Sequence, residues 1–295
     1  MGIYRNWFLA SRPWSFSMTA ISVSVGSALA AMDGEFYWGL YLITLVGMIF
    51  LHAATNLIND YFDVRREVDT LDVSTAQYRP HPLLEGKLKP HQVIVVSFLL
   101  YGLAAIAGLY LAALRGWVIL GIGLIGVIAS FTYTAPPLKY KYCALGELSV
   151  FLMWGPLMVE GAYFVQRQSI SETAFWVSLP FGGLVALVLL VNNLRDMAHD
   201  REKDINTLPI LIGRKNGLRL YGALIGFAYV SVLWMSFLGP LHLWSLIVLL
   251  SLPLAYRLLR QLVREIPADA DARTAQLDTA FGILLVISLI LERLV

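Results

Sequence analysis

The chain has 295 residues, of which 58% are hydrophobic and 14% are charged. Soluble domains average about 45–50% apolar and about 25% charged residues. This composition therefore excludes an ordinary soluble protein and indicates several membrane crossings. The net charge of +2 says little about a partner, and no nucleic acid partner is expected. The single cysteine, Cys143, excludes an intrachain disulfide.

Nine apolar segments are long enough, or nearly so, to cross about 30 Å of hydrocarbon as helices. The predicted spans are residues 14–32, 38–58, 93–114, 117–134, 145–165, 174–193, 218–238, 243–259 and 277–294. We expect the first to be a retained span rather than a cleaved signal peptide. The prediction is an all-α membrane protein with nine transmembrane helices, forming one transmembrane domain over residues 1–295.

The basic residues predict the orientation. With a cytoplasmic N-terminus, all but three of the 22 Lys and Arg residues fall on the cytoplasmic side; the exceptions are Arg115, Arg167 and Arg293. The N-terminus is therefore expected inside and the C-terminus outside, in the plasma membrane of a prokaryote. The cytoplasmic loops 59–92 and 193–217 are long, so we expect a cap of loops and short helices that holds the chemistry.

An acidic stretch, residues 59–69, directly follows the second span and carries four carboxylates. In a continuous helix, Asn59, Asp63 and Glu67 would project from one stripe. Asp60 lies off this stripe and could simply pair with Arg65 or Lys139. Carboxylates so close together repel one another at neutral pH unless a cation neutralises them.

A second acidic stretch, residues 192–204, follows the sixth span, and there Asp196, Asp200 and Asp204 would share a stripe. Isolated acids at helix ends usually cap the helix or form ion pairs, but two matched clusters favour a shared site. Carboxylate and Asn oxygens suit Mg²⁺. The sequence also lacks paired His or Cys metal motifs and a Gly-rich ATP loop.

Basic residues surround both stretches, as binding of a metal-bound diphosphate would require. The candidates for substrate contacts are Arg66, Arg79, Lys139, Lys141 and Arg201, with Asn193 as a further polar contact. Lys139 and Lys141 fit equally well as membrane anchors on the cytoplasmic side. An apolar tail on the diphosphate would lie among the helices.

The motifs Asn-Asp-Tyr-Phe-Asp-x5-Asp-Thr at 59–70 and Asn-Asn-x-Arg-Asp-x3-Asp-Arg-Glu at 192–202 resemble the paired aspartate-rich motifs of the UbiA superfamily of intramembrane prenyltransferases. They are most similar to the branch that prenylates 1,4-dihydroxy-2-naphthoate in menaquinone synthesis. Residues 133–141, 155–163 and 207–214 support the resemblance, which runs in order from 12 to 217.

The resemblance implies nine transmembrane helices around a central cavity. It also implies that Mg²⁺ and the prenyl diphosphate are bound by Asn59, Asp63, Asp69, Asp196 and Asp200. The broader superfamily spacing places the third ligand of the first motif at Glu67, whereas the narrower branch places it at Asp69, so both remain candidates. Asp204 is either an extra ligand or a solvated charge.

The implied reaction is Mg²⁺-dependent transfer of an isoprenoid to 1,4-dihydroxy-2-naphthoate, with loss of CO₂, through an allylic carbocation. The candidate catalytic residues are Asp63, Asp196, Asp200, Lys139 and Tyr133, the last through its π face or merely by packing. Other acceptors, 4-hydroxybenzoate or a glycerol-phosphate lipid, remain alternatives. An ion-coupled transporter is the alternative from another class, since intramembrane acids also mark ion pathways. The expected partners are both substrates and the lipid bilayer, with no protein partner.

Overall fold

The computed structural model describes residues 2–71, 73, 76 and 78–294. Residues 1, 72, 74, 75, 77 and 295 lie outside this description, so the predicted cap loop 59–92 is described only in part. Over the described residues the chain is helical, without a β-strand. The all-α prediction is therefore confirmed for this part of the chain.

The helices of the described residues are numbered here in chain order. They are α1 Ile3–Ala10, α2 Phe16–Met32, α3 Trp38–Arg65, α4 Pro90–Arg115, α5 Val118–Thr132, α6 Gly146–Leu152, α7 Met158–Arg167, α8 Glu172–Glu202, α9 Leu208–Ile212, α10 Arg214–Leu238, α11 Leu252–Arg264 and α12 Ala270–Leu294. Short 3₁₀ segments lie at Pro13–Ser15, Tyr140–Tyr142 and Leu243–Ser251, and a π-helical segment at Met153–Leu157.

Eight stretches of helix in the described part of the chain are long and apolar enough to cross a membrane, which makes this an integral membrane protein. They overlap eight of the nine predicted spans. The remaining prediction, residues 117–134, falls on α5, which has only 15 residues. Such a helix rises about 22 Å, less than about 30 Å of hydrocarbon, so the ninth crossing is not confirmed.

Two helices extend well beyond the thickness of a bilayer. α3 has 28 residues and α8 has 31, which correspond to about 42 Å and about 46 Å. Ser171 fixes the start of α8 by accepting a hydrogen bond from the backbone N–H of Ala174 at 3.2 Å. Because each helix exceeds about 30 Å, its acidic last turns can project past the hydrocarbon.

The main core joins α2, α8, α10 and α12, where Phe181, Tyr221 and Phe281 are fully buried. The π-helical segment breaks its span at Pro156 and brings Gly155 against α8. A Cβ atom on Gly182 would lie 2.8 Å from the Cα of Gly155, so only glycine allows this approach. The apolar side chains of α4 instead face outward. Only 17% of the most apolar stretch of this helix is buried, as expected for a lipid-facing helix.

The loop between α3 and α4 is anchored to the bundle rather than free. Leu83 and Leu88 are buried against Ala10 of α1 and Leu57 of α3. This small apolar cluster fixes the position of the preceding residues, including Arg79 and His81, beside the acidic end of α3.

Candidate active site

The two acidic stretches converge at one end of the helical bundle. His199 Nε2 lies 2.7 Å from the carbonyl oxygen of Val68, and because a carbonyl can only accept, this nitrogen is the donor. The electrostatic neighbours of Asp200 include Asp63. The structure thus joins the last turns of α3 and α8, with the loop after α3, into one polar region.

Asp63 is the most deeply buried acid of the first stretch, with 1% of its surface exposed. Lys141 Nζ donates to Asp63 Oδ2 at 2.6 Å and to Asn59 Oδ1 at 3.2 Å, and the hydroxyl of Tyr142 donates to Asp63 Oδ1. Burial alone would lower the pKa of Lys141, but the Asp63 carboxylate raises it above its ordinary value. Lys141 is therefore a cation at neutral pH.

Aromatic rings surround this ion pair. Lys141 Nζ lies 5.9 Å from the ring centroid of Tyr133. The guanidinium of Arg66 lies 5.3 Å from the ring centroid of Tyr142 and donates to the carbonyl of Thr134 at 3.1 Å. The predicted residues Tyr133, Arg66 and Lys141 are therefore grouped around Asp63.

A second pair of acids lies beside Asp63. Asp60 forms an ion pair with Arg12. His81 Nε2 lies 3.8 Å from Asp60 Oδ2 and 3.5 Å from Asp69 Oδ2, and the His81 side chain is 7% exposed. The sequence predicts Arg65 or Lys139 as the partner of Asp60, whereas the structure pairs Asp60 with Arg12.

The hydrogen bonding of His81 determines which role it can take. Its Nδ1 faces the backbone N–H of Leu84 at 3.3 Å, so Nδ1 carries the lone pair and Nε2 carries a proton. Although Asp60, Asp69 and His81 are close enough to hold a metal, His81 presents an N–H to the two carboxylates instead. Burial would raise the pKa of Asp69, but the adjacent His81 side chain and the nearby cations Lys141 and Arg12 hold it below its ordinary value.

Arg195 organises the second acidic stretch. It donates to Asp196 Oδ1 at 2.9 Å and to Asp271 Oδ1, on α12, at 2.8 Å. The hydroxyl of Tyr78 also donates to Asp271, at 2.6 Å, and burial together with this contact raises the pKa of Tyr78 to about 12. Arg79 lies 3.9 Å from the same carboxylate. Asp271 thus links the loop after α3 to α8.

Asn193, predicted to contact substrate, forms a hydrogen bond with another helix in the structure. Its side-chain amide donates to Glu147 Oε1 at 2.9 Å, and both residues are buried. This contact joins α8 to α6, next to the cavity described below.

Four of the acidic and basic residues considered from sequence are not brought into this cluster: Glu67, Lys139, Arg201 and Asp204. All four are exposed. The expected stripe does not reach Glu67, because α3 ends at Arg65 and Glu67 has a φ of 56°. The Glu67 side chain is 81% exposed and lies 3.8 Å from Lys203. Asp204 follows the end of α8 with a φ of 53°, so it too leaves its stripe.

A cavity of about 1050 Å³ opens beside the acidic cluster, near the upper end of the range of ligand pockets. One end is lined by Arg12, Asn59, Arg79 and Lys141. The interior is lined by small and apolar side chains of α3, α4 and α5, namely Gly47, Met48, Ala104, Ala107, Gly108, Ile119, Gly126 and Val127. This shape suits a ligand with a charged head and an apolar tail.

The acids also fit a divalent metal ion. Mg²⁺ prefers carboxylate and amide oxygens, which Asn59, Asp63, Asp69 and Asp200 supply together. Asp200 is 8% exposed, and no described residue donates a hydrogen bond to its carboxylate. A buried carboxylate without donors is unfavourable unless a cation compensates it, so this observation favours a metal beside Asp200.

The structure thus defines an integral membrane protein with an apolar cavity whose polar end carries the cations Arg12, Arg79 and Lys141, an arrangement that suits an amphipathic ligand with an anionic head. Residues 19–284 match the UbiA prenyltransferase family, so the chain belongs to this family and is a prenyltransferase. The resemblance found in the sequence is thus confirmed, and the enzyme is selected over the ion-coupled transporter.

The relatives agree over nearly the whole chain. It is 30% identical over 289 residues to the 1,4-dihydroxy-2-naphthoate octaprenyltransferase of Bacillus subtilis (strain 168), covering 96% of this chain and 91% of that protein. The apo structure of a UbiA homologue from Aeropyrum pernix K1 has a similar fold, with a TM-score of 0.72, 15% identity and coverage of 94% and 97%. The structure of a UbiA homologue from Archaeoglobus fulgidus bound to DMAPP and Mg²⁺ is also similar, with a TM-score of 0.65 and 15% identity. That match covers 96% of this chain and 99% of the homologue.

Proposed function

We propose that this protein catalyses the Mg²⁺-dependent transfer of an isoprenoid from a prenyl diphosphate to 1,4-dihydroxy-2-naphthoate, with loss of CO₂. The observation that carries the proposal is a cavity with an apolar interior whose polar end is lined by Arg12, Asn59, Arg79 and Lys141, beside the acidic cluster that Lys141 contacts through Asp63. The substrate named for the B. subtilis relative supports the acceptor, and the ligands of the A. fulgidus homologue support the donor and the metal.

The metal would be held by Asn59, Asp63 and Asp69 on one side and by Asp196 and Asp200 on the other. When bound there, Mg²⁺ would offset the negative charge that grows on the departing diphosphate. Lys141 and Arg79, which line the same end of the cavity, donate to the remaining phosphate oxygens.

The rest of the cavity protects the allylic cation left behind. Its apolar walls exclude water, which would otherwise capture the cation as an alcohol. The ring of Tyr133 lines the cavity beside Lys141 and offers its π face to the developing positive charge. Lys139 and Arg201 are exposed and have no part in this proposal.

We further infer how the protein lies in the membrane. The basic side chains of the active-site end, together with the distribution of Lys and Arg along the sequence, support a cytoplasmic location for that end in a prokaryotic plasma membrane. The exposed loops around it would then form a cytoplasmic cap. Helix α5, although short, would complete a ninth crossing with the residues that follow it.

The decisive experiment uses the purified protein in lipid nanodiscs with a labelled prenyl diphosphate. We expect product with 1,4-dihydroxy-2-naphthoate, little with 4-hydroxybenzoate or a glycerol-phosphate lipid, and no turnover after chelation until Mg²⁺ is restored. Mass spectrometry of the product should show the loss of CO₂. Preferential turnover of either other acceptor would overturn the assigned substrate, and turnover in excess chelator would overturn the metal requirement.

The choice between Glu67 and Asp69 can be tested in the same assay. We expect Asp69→Asn to lower prenyl transfer by at least about tenfold and to raise the Mg²⁺ concentration needed for half-maximal rate. Glu67→Gln should stay within about twofold of wild type, because an exposed ion pair such as Glu67–Lys203 contributes at most about 1 kcal/mol. If Glu67→Gln instead lowered prenyl transfer more than Asp69→Asn, Glu67 would be the third metal ligand of the first motif.

A further inference from the structure

A band of polar side chains crosses the otherwise apolar cavity wall just below the phosphate-binding end. It contains Ser15, His52, Thr55, Asn56, Ser130 and Tyr140. Asn56 precedes Asn59 by three residues on α3, which places it about 4.5 Å deeper along the helix axis. This is the depth at which a second substrate would meet the first carbon of the isoprenoid.

The orientation of the Asn56 amide is fixed by its neighbours. Its Nδ2 donates to the carbonyl of Ser11 at 2.9 Å and to Ser15 Oγ at 3.2 Å. Ser15 gives its own proton to the carbonyl of Arg12 at 2.8 Å, so Ser15 Oγ can only accept from Asn56. A flipped amide would place its oxygen against two acceptors, so the nitrogen must face α1 and α2.

A second chain of hydrogen bonds reaches the same serine. Because the Ser15 proton goes to the carbonyl of Arg12, His52 Nε2, 3.1 Å from Ser15 Oγ, must be the donor in that contact. His52 Nδ1 then accepts from Thr19 Oγ1 at 2.7 Å, and Thr19 Oγ1 accepts from Trp154 Nε1 at 3.1 Å. Ser15 therefore accepts from both His52 and Asn56, and both of its lone pairs are used.

These two networks leave one acceptor at the cavity. No described residue donates to Asn56 Oδ1, although Asn56 lines the cavity. We propose that Asn56 Oδ1 is the subsite that receives a phenolic O–H of the aromatic acceptor. The inference rests on the proposed function, because it assigns the recognition of the acceptor within that same cavity.

The subsite would act by orientation and by selection. A hydrogen bond from the phenol to a fixed carbonyl oxygen sets the rotation of the ring, so that a ring carbon can approach the isoprenoid to about 3–3.5 Å. The same bond increases electron density on the ring, which favours attack on a cation. A ring that lacks this hydroxyl would leave Asn56 Oδ1 without a hydrogen-bond donor in the closed complex. An unpaired buried acceptor costs free energy, so such a ring would bind less well.

The test combines changes in the enzyme with changes in the acceptor. We would measure kcat/KM for 1,4-dihydroxy-2-naphthoate and for its two analogues that each lack one hydroxyl, with wild type and with Asn56→Leu. The intrinsic reactivity of each ring cancels in the comparison. For one analogue, kcat/KM for 1,4-dihydroxy-2-naphthoate divided by kcat/KM for the analogue should be at least about tenfold larger in wild type than in Asn56→Leu. The KM for the prenyl diphosphate should stay within about twofold.

Thr55→Val is the matched control. Thr55 also lines the cavity, but its hydroxyl already donates to the carbonyl of Leu51 at 2.7 Å and contacts Ser130 Oγ at 2.6 Å. Its ratio of parent to analogue should equal that of wild type. Ser15→Ala keeps Asn56 but removes one of the contacts that fix the amide, so it should reduce the ratio, and it replaces Asn56→Leu if that variant does not fold.

Two outcomes separate this inference from the proposed function. Equal ratios in wild type and in the Asn56 and Ser15 variants would overturn the subsite while leaving prenyl transfer intact. A wild-type enzyme that transfers its isoprenoid to none of the hydroxylated rings would instead overturn the proposed function, and the subsite with it. A parallel rise in KM for both substrates would also count against the subsite, since it indicates general damage to the cavity.

Discussion

Asp200→Asn should lower prenyl transfer by at least about 100-fold while the protein keeps its fold. The carboxylate of Asp200 is buried, receives no hydrogen bond from a described residue, and has Asp63 and Asp196 among its electrostatic neighbours. Asparagine has nearly the same size but no charge, so it removes the attraction for a divalent cation without leaving a cavity. Initial rates at saturating donor and acceptor, across a range of Mg²⁺ concentrations, measure the effect.

The midpoint of thermal unfolding, measured in excess chelator, is a second test of the role of Asp200. Without metal, removing one of several neighbouring negative charges relieves repulsion, so the midpoint of Asp200→Asn should equal or exceed that of wild type. Asp204→Asn is the matched control, because Asp204 is exposed four residues further along and should keep its activity. If Asp200→Asn were fully active, or if Asp204→Asn were equally damaging, the metal would have to lie elsewhere.

Asp63 is a less direct test of the same idea. Its carboxylate binds Lys141 and Tyr142 at the same time. Removing one partner of a buried ion pair typically costs about 3–5 kcal/mol, because the other charge is left uncompensated. Loss of activity in Asp63→Asn alone would therefore combine a lost ligand with a weakened fold, and Asp200 separates the two effects.

The local part of the site could be predicted from sequence. A helical period predicts that Asn59 and Asp63 share one face of α3, and in the structure both side chains accept a hydrogen bond from Lys141. The same period fails at Glu67 and Asp204, where the helices have ended and the backbone φ is positive. Neither position is a glycine, the usual marker of such a helix end, so the sequence carried no clear signal for it.

The partners that come from distant elements could not be predicted. Asp271 on α12 accepts from Tyr78 and Arg195, and His199 reaches the carbonyl of Val68. Periodicity shows which side chains share one helix face, but it does not show which other helix lies opposite. Asp271 follows a polar segment and precedes an apolar one, so from sequence alone it resembles an ordinary acid in the first turn of a helix.

The apolar interior of the cavity should determine the length of isoprenoid that the enzyme accepts, and Gly126→Phe should shorten it. Gly126 lines the cavity, and a Cβ there would meet only Leu51 Cδ2, at 3.8 Å, so a larger side chain can enter the cavity without displacing backbone. Overfilling an apolar site typically costs about 1–3 kcal/mol, which corresponds to about 5- to 150-fold in binding. The whole of this cost should fall on donors long enough to reach Gly126.

The measurement is kcat/KM for geranyl diphosphate and for a diphosphate of eight isoprene units, with the same acceptor. For Gly126→Phe we expect the long donor to lose at least about tenfold relative to the short one. Gly121→Phe, on the same helix, is the matched control, because Gly121 is exposed, does not line the cavity and has open space around it. If neither donor lost efficiency, the isoprenoid would have to leave the cavity before it reaches α5, through a gap between helices. The length of the donor would then be limited by the bilayer and not by the protein.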